Sequence, residues 1–224
     1  MNYEIAGGNF PVAVCSMRAG EALMCQTGAM AWMRGGVRME TKTGGIGKMF
    51  GRAFSGESLF QNRYVADSDG MIAFAANTPG EIRAVEISPE HSIIAQKGSY
   101  LASDEGVEMS ISFQKKIGAG FFGGEGFIMQ KFSGNGTVLV EIDGGAVEYE
   151  LAAGEKMTID TGYLVMMDGT CSIDIVTVKG IGNVLFGGEG LFNTIVTGPG
   201  KIVLQTMPLV QMAGHFASVF KTSK

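Results

Sequence analysis

Two histidines, three cysteines, five prolines and one tryptophan are a sparse supply for a chain of 224 residues. So few histidines exclude most multi-histidine metal centres. Cys15, Cys25 and Cys171 are odd in number and lie at no metal-ligand spacing, which predicts buried thiols in a reducing, cytoplasmic setting. Charged residues are also scarce, at 17%, against 46% hydrophobic, so a sizeable core is expected and disorder is not. No apolar run approaches the ~18 residues of a membrane-crossing helix. The stretch from Met1 to Val14 has no basic residue before its short apolar run, so no secretory signal is expected.

The net charge of −5 argues against generic nucleic-acid binding. It is unevenly spread: residues 1–66 carry net +3 and the remainder −8. A mild asymmetry of this kind describes a solvated face before it describes a partner site.

Glycine is what the chain has in excess. Thirty-five glycines are roughly one residue in six, about twice the ordinary share. Collagen is excluded, because the glycines do not recur at every third position. They mark an internal repeat instead. Ile46-Gly47 running to Gly56-Glu57, Ile117-Gly118 running to Gly124-Glu125, and Ile181-Gly182 running to Gly188-Glu189 read alike, with the Gly-Glu pairs 68 and 64 residues apart. Gly28, Gly98 and Gly162 are spaced 70 and 64; Gly70, Gly136 and Gly200 are spaced 66 and 64. Three landmarks in one order predict a triplicated unit. The boundaries fall near Pro79-Gly80 and Gly144-Gly145, giving units 1–80, 81–145 and 146–212 and a tail 213–224.

Each unit reads as all-β. Short alternating or β-branched runs such as Val138 to Ile142, Val147 to Leu151, Lys156 to Ile159, Ile173 to Val178 and Ile202 to Gln205 are separated by glycine-containing turns. Asp69-Gly70 and Asn135-Gly136 read as hairpin dipeptides. No unit has the long 3.6-period stretch of a βαβ crossover. Only the tail, Pro208 to Phe220, reads as a short helix, with Met212, Phe216, Val219 and Phe220 on one face. Units this small are marginal alone, so the three are expected to pack as sandwich or double-stranded β-helix units around a pseudo-threefold axis.

The run from Thr43-Gly44-Gly45-Ile46-Gly47 to Gly56-Glu57-Ser58-Leu59-Phe60 resembles a stretch of a widespread bacterial family, as do residues 117–126 and 187–192. That family includes the mitochondrial protein called altered inheritance of mitochondria 24. The resemblance covers about Val12 to Met212. It implies a fold like that of the tryptophan RNA-binding attenuation protein, present three times in one chain, and it implies homo-oligomers. It implies no established activity. The mitochondrial relative suggests a role in organising inner-membrane complexes, which transfers to no individual residue here. The attenuation protein's RNA-binding and tryptophan-binding residues find no counterpart motif in this chain.

The glycine-flanked loops are the foremost candidate sites. They hold Lys48, Met49, Phe50, Arg52 and Phe54, then Phe121 and Phe122, then Leu185 and Phe186. Bulky apolar side chains in a surface connection could form a rim that docks a membrane surface, a partner or an apolar ligand. The competing reading is a bulged strand whose aromatics fill the core. Glu57, Glu125 and Glu189 recur at equivalent positions, where carboxylates could do acid–base work or hold a hard cation; a glutamate in a Gly-Glu turn more simply accepts backbone N–H bonds.

The remaining motifs fall away. Lys48 after Gly47 fails as a phosphate loop, since Lys42 replaces the first glycine and Met49 the Ser/Thr. His91 reads as a turn residue and His215 lies in the tail, so no zinc site is expected. No Gly-x-Ser-x-Gly elbow is present. Trp32 reads as core, and the fifteen methionines, Met166-Met167 among them, as gap-fillers. The expectation is a non-enzymatic homo-oligomer, a trimer, with no cofactor and no metal, acting as a binding or scaffolding module. The alternative is a small-ligand-binding protein that uses a cleft between repeats.

Overall fold

The computed structural model describes residues 1–40, 61–115, 126–177 and 192–220. The alternating runs form strands throughout. The first third gives β1 (Asn2–Ala6), β2 (Val12–Met17), β3 (Ala22–Gln26), β4 (Met30–Glu40) and β5 (Gln61–Ala75). Then follow β6 (Gly80–Ile87), β7 (Ile93–Gln96), β8 (Tyr100–Asp104), β9 (Val107–Lys115), β10 (Phe127–Gly134) and β11 (Gly136–Asp143). The last third gives β12 (Ala146–Leu151), β13 (Lys156–Asp160), β14 (Leu164–Asp168), β15 (Ser172–Thr177), β16 (Phe192–Thr197) and β17 (Gly200–Gln205). One helix, α1 (Leu209–Phe220), follows where the tail pattern places it. The described chain is therefore all-β apart from α1 and two single 3₁₀ turns.

Among the described residues every strand pairing is antiparallel, and the strands form three sheets. The first runs β1-β2-β5-β3-β8-β11-β6, with β4 added to β5; the second runs β12-β17-β14-β7-β10-β9; the third is β13-β16-β15. The two larger sheets join distant parts of the chain at one strand pair each. β3 meets β8 with Leu23 opposite Asp104, Met24 opposite Ser103 and Cys25 opposite Ala102. β7 meets β14 with Ile93 opposite Asp168, Ile94 opposite Met167 and Ala95 opposite Met166.

Among the described residues, buried side chains collect in three clusters, and each draws on strands that are distant in sequence. Cys15, Cys25, Ile72 and Phe74 pack with Leu101 and Leu139. Tyr100, Phe132 and Val138 pack with Met166 and Val203, and the Tyr100 and Phe132 rings stack at 5.2 Å between centroids. Ile159, Leu164, Val196 and Ile202 pack with Ile94, Phe127 and Met129. Burying a large apolar side chain contributes about 1.5–3 kcal/mol. The pooling of such residues across long sequence separations is what holds the sheets face to face.

Two tight turns are built alike. The Glu21 N–H bonds the Arg18 carbonyl at 3.0 Å while its carboxylate accepts the Arg18 N–H at 2.8 Å. Glu155 treats Ala152 identically, at 3.0 and 2.8 Å. Gly20 and Gly154 take the positive φ that the third turn position needs, +88° and +79°.

The hairpin reading of the turn glycines is corrected. Gly70 lies inside β5, opposite Met17 and Gly35, and turns nothing. It is glycine because a Cβ there would sit 2.6 Å from the Arg34 carbonyl oxygen. Asn135-Gly136 joins β10, which pairs with β7 and β9, to β11, which pairs with β6 and β8. Pro199 and its flanking glycines do the same between β16 and β17. These are handovers from one sheet to another, where the strand must bend sharply.

Trp32 is a second correction: it is 49% exposed rather than core. The strand that carries it explains why. Tyr100 to Ser103 on β8 and Leu164 to Met167 on β14 are all buried, each strand lying against a neighbour from an earlier part of the chain. Ala31 to Gly35 on β4 are exposed, and among the described residues β4 pairs with β5 alone. The methionine reading holds at Met166 and Met167, which are buried at the second junction.

Candidate functional site

The loops singled out in the sequence lie outside the described residues. This applies to Lys48, Met49, Phe50, Arg52 and Phe54, to Phe121 and Phe122, to Leu185 and Phe186, and to Glu57, Glu125 and Glu189. The described residues bring together two other features.

The first is a polar cavity of about 300 Å³ where the three sections of chain converge. Gln26 ends β3 and Gln96 ends β7; Gly98 and Ser99 lie in the 3₁₀ turn before β8, and Gly162 lies in the matching turn before β14. Gly98 and Gly162 are two of the repeated landmarks, so this part of the site was signalled in the sequence. The opposite wall is Asn77, Thr78, Glu141, Asp143 and Gln205, and no motif marked those residues. Asn77-Thr78 directly precedes the Pro79-Gly80 boundary, which was the available hint.

Hydrogen bonds fix the acidic wall. The Glu141 carboxylate accepts the backbone N–H of Asn77 and its side-chain amide, both at 2.7 Å. The Thr78 hydroxyl donates to Asp143, which also accepts the Leu209 N–H at 2.8 Å and so ties α1 to the cavity. Gln205 accepts the Asp143 N–H at 3.0 Å and donates to the Gly162 carbonyl at 2.8 Å. Burial pushes the Glu141 carboxyl up to about 7, against the pull of its two Asn77 bonds and with Asp143 adding to the rise. A carboxyl held near neutrality can present either a donor or an acceptor to a polar guest. Among the described residues the cavity lining contains no lysine, arginine or histidine.

The second feature is apolar and lies at the sheet rims. Val147 and Tyr149 on edge strand β12 are 40% and 46% exposed. With Met157, Tyr163 and Leu204 they line a shallow groove of about 450 Å³ beside β13. Tyr163 donates to Gln211 of α1 at 2.6 Å. At the end of the first sheet β1 is exposed along its whole length, Tyr3 and Ile5 included. Phe216 of α1 also faces solvent.

No group of three or more potential metal ligands occurs among the described residues. His91 sits in the turn the sequence suggests, its Nδ1 2.7 Å from the Glu86 carbonyl and its Nε2 3.4 Å from Asp168. Cys15, Cys25 and Cys171 are free and buried, as expected. No described helix is long and apolar enough to cross a membrane.

Antiparallel half-sheets shared between distant stretches of chain, with polar turns converging on one cavity, define an all-β scaffold. Within that class, the chain belongs to the family described as Mitochondrial biogenesis AIM24, whose model matches residues 3–207. It is 33% identical over 224 residues to an uncharacterised protein of Streptococcus pyogenes serotype M6, covering 96% of this chain and 88% of the relative. It is also similar to a structural-genomics crystal structure of a Streptococcus pyogenes protein. That likeness has a TM-score of 0.82 at 30% identity and covers 97% of this chain and 99% of the other.

Proposed function

We propose that the chain is a non-catalytic, cytoplasmic binding scaffold built from three repeated units, 1–80, 81–145 and 146–212, around a pseudo-threefold axis. It works as a homo-oligomer, a trimer, presenting its rims to a partner. The observation that carries this reading is the exposed apolar surface on edge strands, Tyr3 and Ile5 on β1 and Val147 and Tyr149 on β12. Large apolar side chains grouped on unpaired strand edges mark contact surfaces in soluble proteins. The repeat reading draws support from the two strand junctions, β3 with β8 in the first sheet and β7 with β14 in the second, whose registers differ by 70 and 64 residues, the same offsets as Gly28, Gly98 and Gly162. The glycine-flanked aromatic loops and the tail are further contact surfaces for a protein or membrane-surface partner in this proposal. Multi-angle light scattering at micromolar concentration tests the oligomer: a trimer mass is expected, and a clean monomer overturns it.

A second reading is favoured by the polar cavity, which lies between the proposed repeats and is walled by residues of all three. Small polar ligands bind in concave sites with a few convergent polar groups. Native mass spectrometry of freshly purified protein is expected to show a retained small-molecule adduct under this reading. An adduct-free spectrum together with no thermal shift in a metabolite screen rejects it.

A further inference from the structure

Four residues that line the polar cavity spend their side-chain donors within its own wall. The Asn77 amide goes to Glu141, the Thr78 hydroxyl to Asp143, the Ser99 hydroxyl to the Gln96 carbonyl, and the Gln205 amide to the Gly162 carbonyl. Acceptors are what remain. Gln26 Oε1 is buried and has no hydrogen-bond partner among the described residues, a state that costs free energy until a donor reaches it. Carboxylate oxygens accept more than one bond each, so Glu141 and Asp143 keep room for further donors. Gln26, at the end of β3, and Glu141, near the end of β11, stand on either side of the first residues of β8.

Charge is the second imbalance. Glu141 and Asp143 are two residues apart on β11, so both side chains leave the same face of the strand. Among the described residues of the lining no basic side chain faces them. Asp143 is partly answered by the chain, since it takes the Thr78 hydroxyl and the Leu209 N–H at the start of α1. Glu141 takes only the two bonds from Asn77 among the described residues. Its carboxyl titrates at about 7, so near neutrality a proton takes the place that a cation would hold.

We propose that the cavity binds a small organic ammonium ion, a primary amine whose N–H groups reach the Glu141 carboxylate and Gln26 Oε1. Its short carbon chain lies against Pro208 and Leu209, the apolar part of the lining. An ammonium brings what this wall lacks, a positive charge and several donors on one atom. A carboxylate or phosphate ligand would meet two acidic side chains with no cation to offset them. A volume of about 300 Å³ lies at the small end of ligand sites, which suits a ligand of few atoms. Binding exchanges the proton on Glu141 for the ammonium, and that proton passes to solvent. This inference rests on the ligand-binding reading above and names the class of its ligand.

The test is isothermal titration calorimetry of the full chain with n-butylamine. Its neutral, anionic and inorganic counterparts are n-butanol, butyrate and potassium chloride. Saturable heat from butylamine alone is expected. Its affinity should fall about tenfold from pH 8 to pH 6 as Glu141 takes its proton. Ordinary surface carboxylates are ionised across that range and would give no such fall. Asp143 is the other titratable group among the described lining residues, and β3, β7 and β17 face the site with the amides Gln26, Gln96 and Gln205. Glu141→Gln is expected to lose the binding. Gln26→Met, which keeps the length and removes the acceptor, should weaken it several-fold with the pH dependence intact; it carries the test if Glu141→Gln fails to fold. Unchanged affinity in either variant, or affinity independent of pH, overturns the proposal. Heat from butanol or butyrate with none from butylamine rejects the ammonium class and leaves the ligand-binding reading standing. Silence from all three rejects both. An equal response to potassium chloride shows that charge alone suffices and overturns the organic ligand.

Discussion

Glu141 on β11 takes two hydrogen bonds from a single residue, Asn77, whose backbone N–H and side-chain amide both lie 2.7 Å from its carboxylate. The pair ties the connection after β5 to the centre of β11, across the wall of the polar cavity. Burial nevertheless outweighs these bonds and raises the carboxyl from its ordinary 4.5 to about 7.

The raised value sets the direction of a pH effect. Between pH 4.5 and 7 the folded protein holds a proton that the unfolded chain has released, so folding binds protons. Stability from this group is complete at the acid end, falls as the pH rises toward about 7, and is flat above it. The loss is on the order of 3 kcal/mol at most. Thermal melts from pH 5 to 8 should show the decline, and Glu141→Gln should flatten it.

Gly70 and Gly98 should respond differently to alanine. A Cβ on Gly70 meets the Arg34 carbonyl oxygen at 2.6 Å, while one on Gly98 has nothing within 4 Å. Overpacking against a rigid backbone costs about 1–3 kcal/mol. Gly70→Ala is expected to lower the urea midpoint clearly and Gly98→Ala to leave it within error.

Burial pushes the Cys15 and Cys25 thiols up to about 12 and also raises that of Cys171. Because the thiolate is the reactive form, all three should resist iodoacetamide at pH 8 in the folded protein. Three adducts should appear by mass spectrometry once the chain is unfolded in guanidinium.

The Tyr100 hydroxyl accepts a hydrogen bond from Gln61 and contacts Ser103, each at 3.1 Å, linking the start of β5 to β8. Tyr100→Phe keeps the ring stack on Phe132 and strands the Gln61 amide. The expected cost is about 1–2 kcal/mol, read as a melting temperature lower by roughly 2–8 °C.

Much of the architecture was legible because it is written locally. Val138 to Ile142 is a largely β-branched run and Val147 to Leu151 alternates apolar and acidic residues, and they form β11 and β12. The amphipathic tail forms α1. What misled was glycine. In sequence a turn glycine and a close-approach glycine look alike, so Gly70 read as a hairpin although it sits mid-strand. Trp32 read as core because an apolar strand does not declare whether a neighbour covers it. Half of the cavity was legible, since Gly98 and Gly162 recur. Asn77, Glu141 and Asp143 were not, because each is ordinary in its own strand or loop and acquires its role only from a partner far along the chain. The aromatic loops remain the sequence's own candidates, outside the described residues.

The sharing of sheets between distant strands also bears on how the protein is made. Cys25 of β3 finds its cross-strand neighbour Ala102 only after β8 has been synthesised, and Ile94 waits in turn for Met167. As the chain leaves the ribosome, its leading portion would therefore expose an unfaced half-sheet until the next portion emerges, and so on along its length. Pairings between such distant residues also slow folding. The nascent chain spends that interval with open strand edges, a state in which a pause in translation or a truncated message would leave aggregation-prone product.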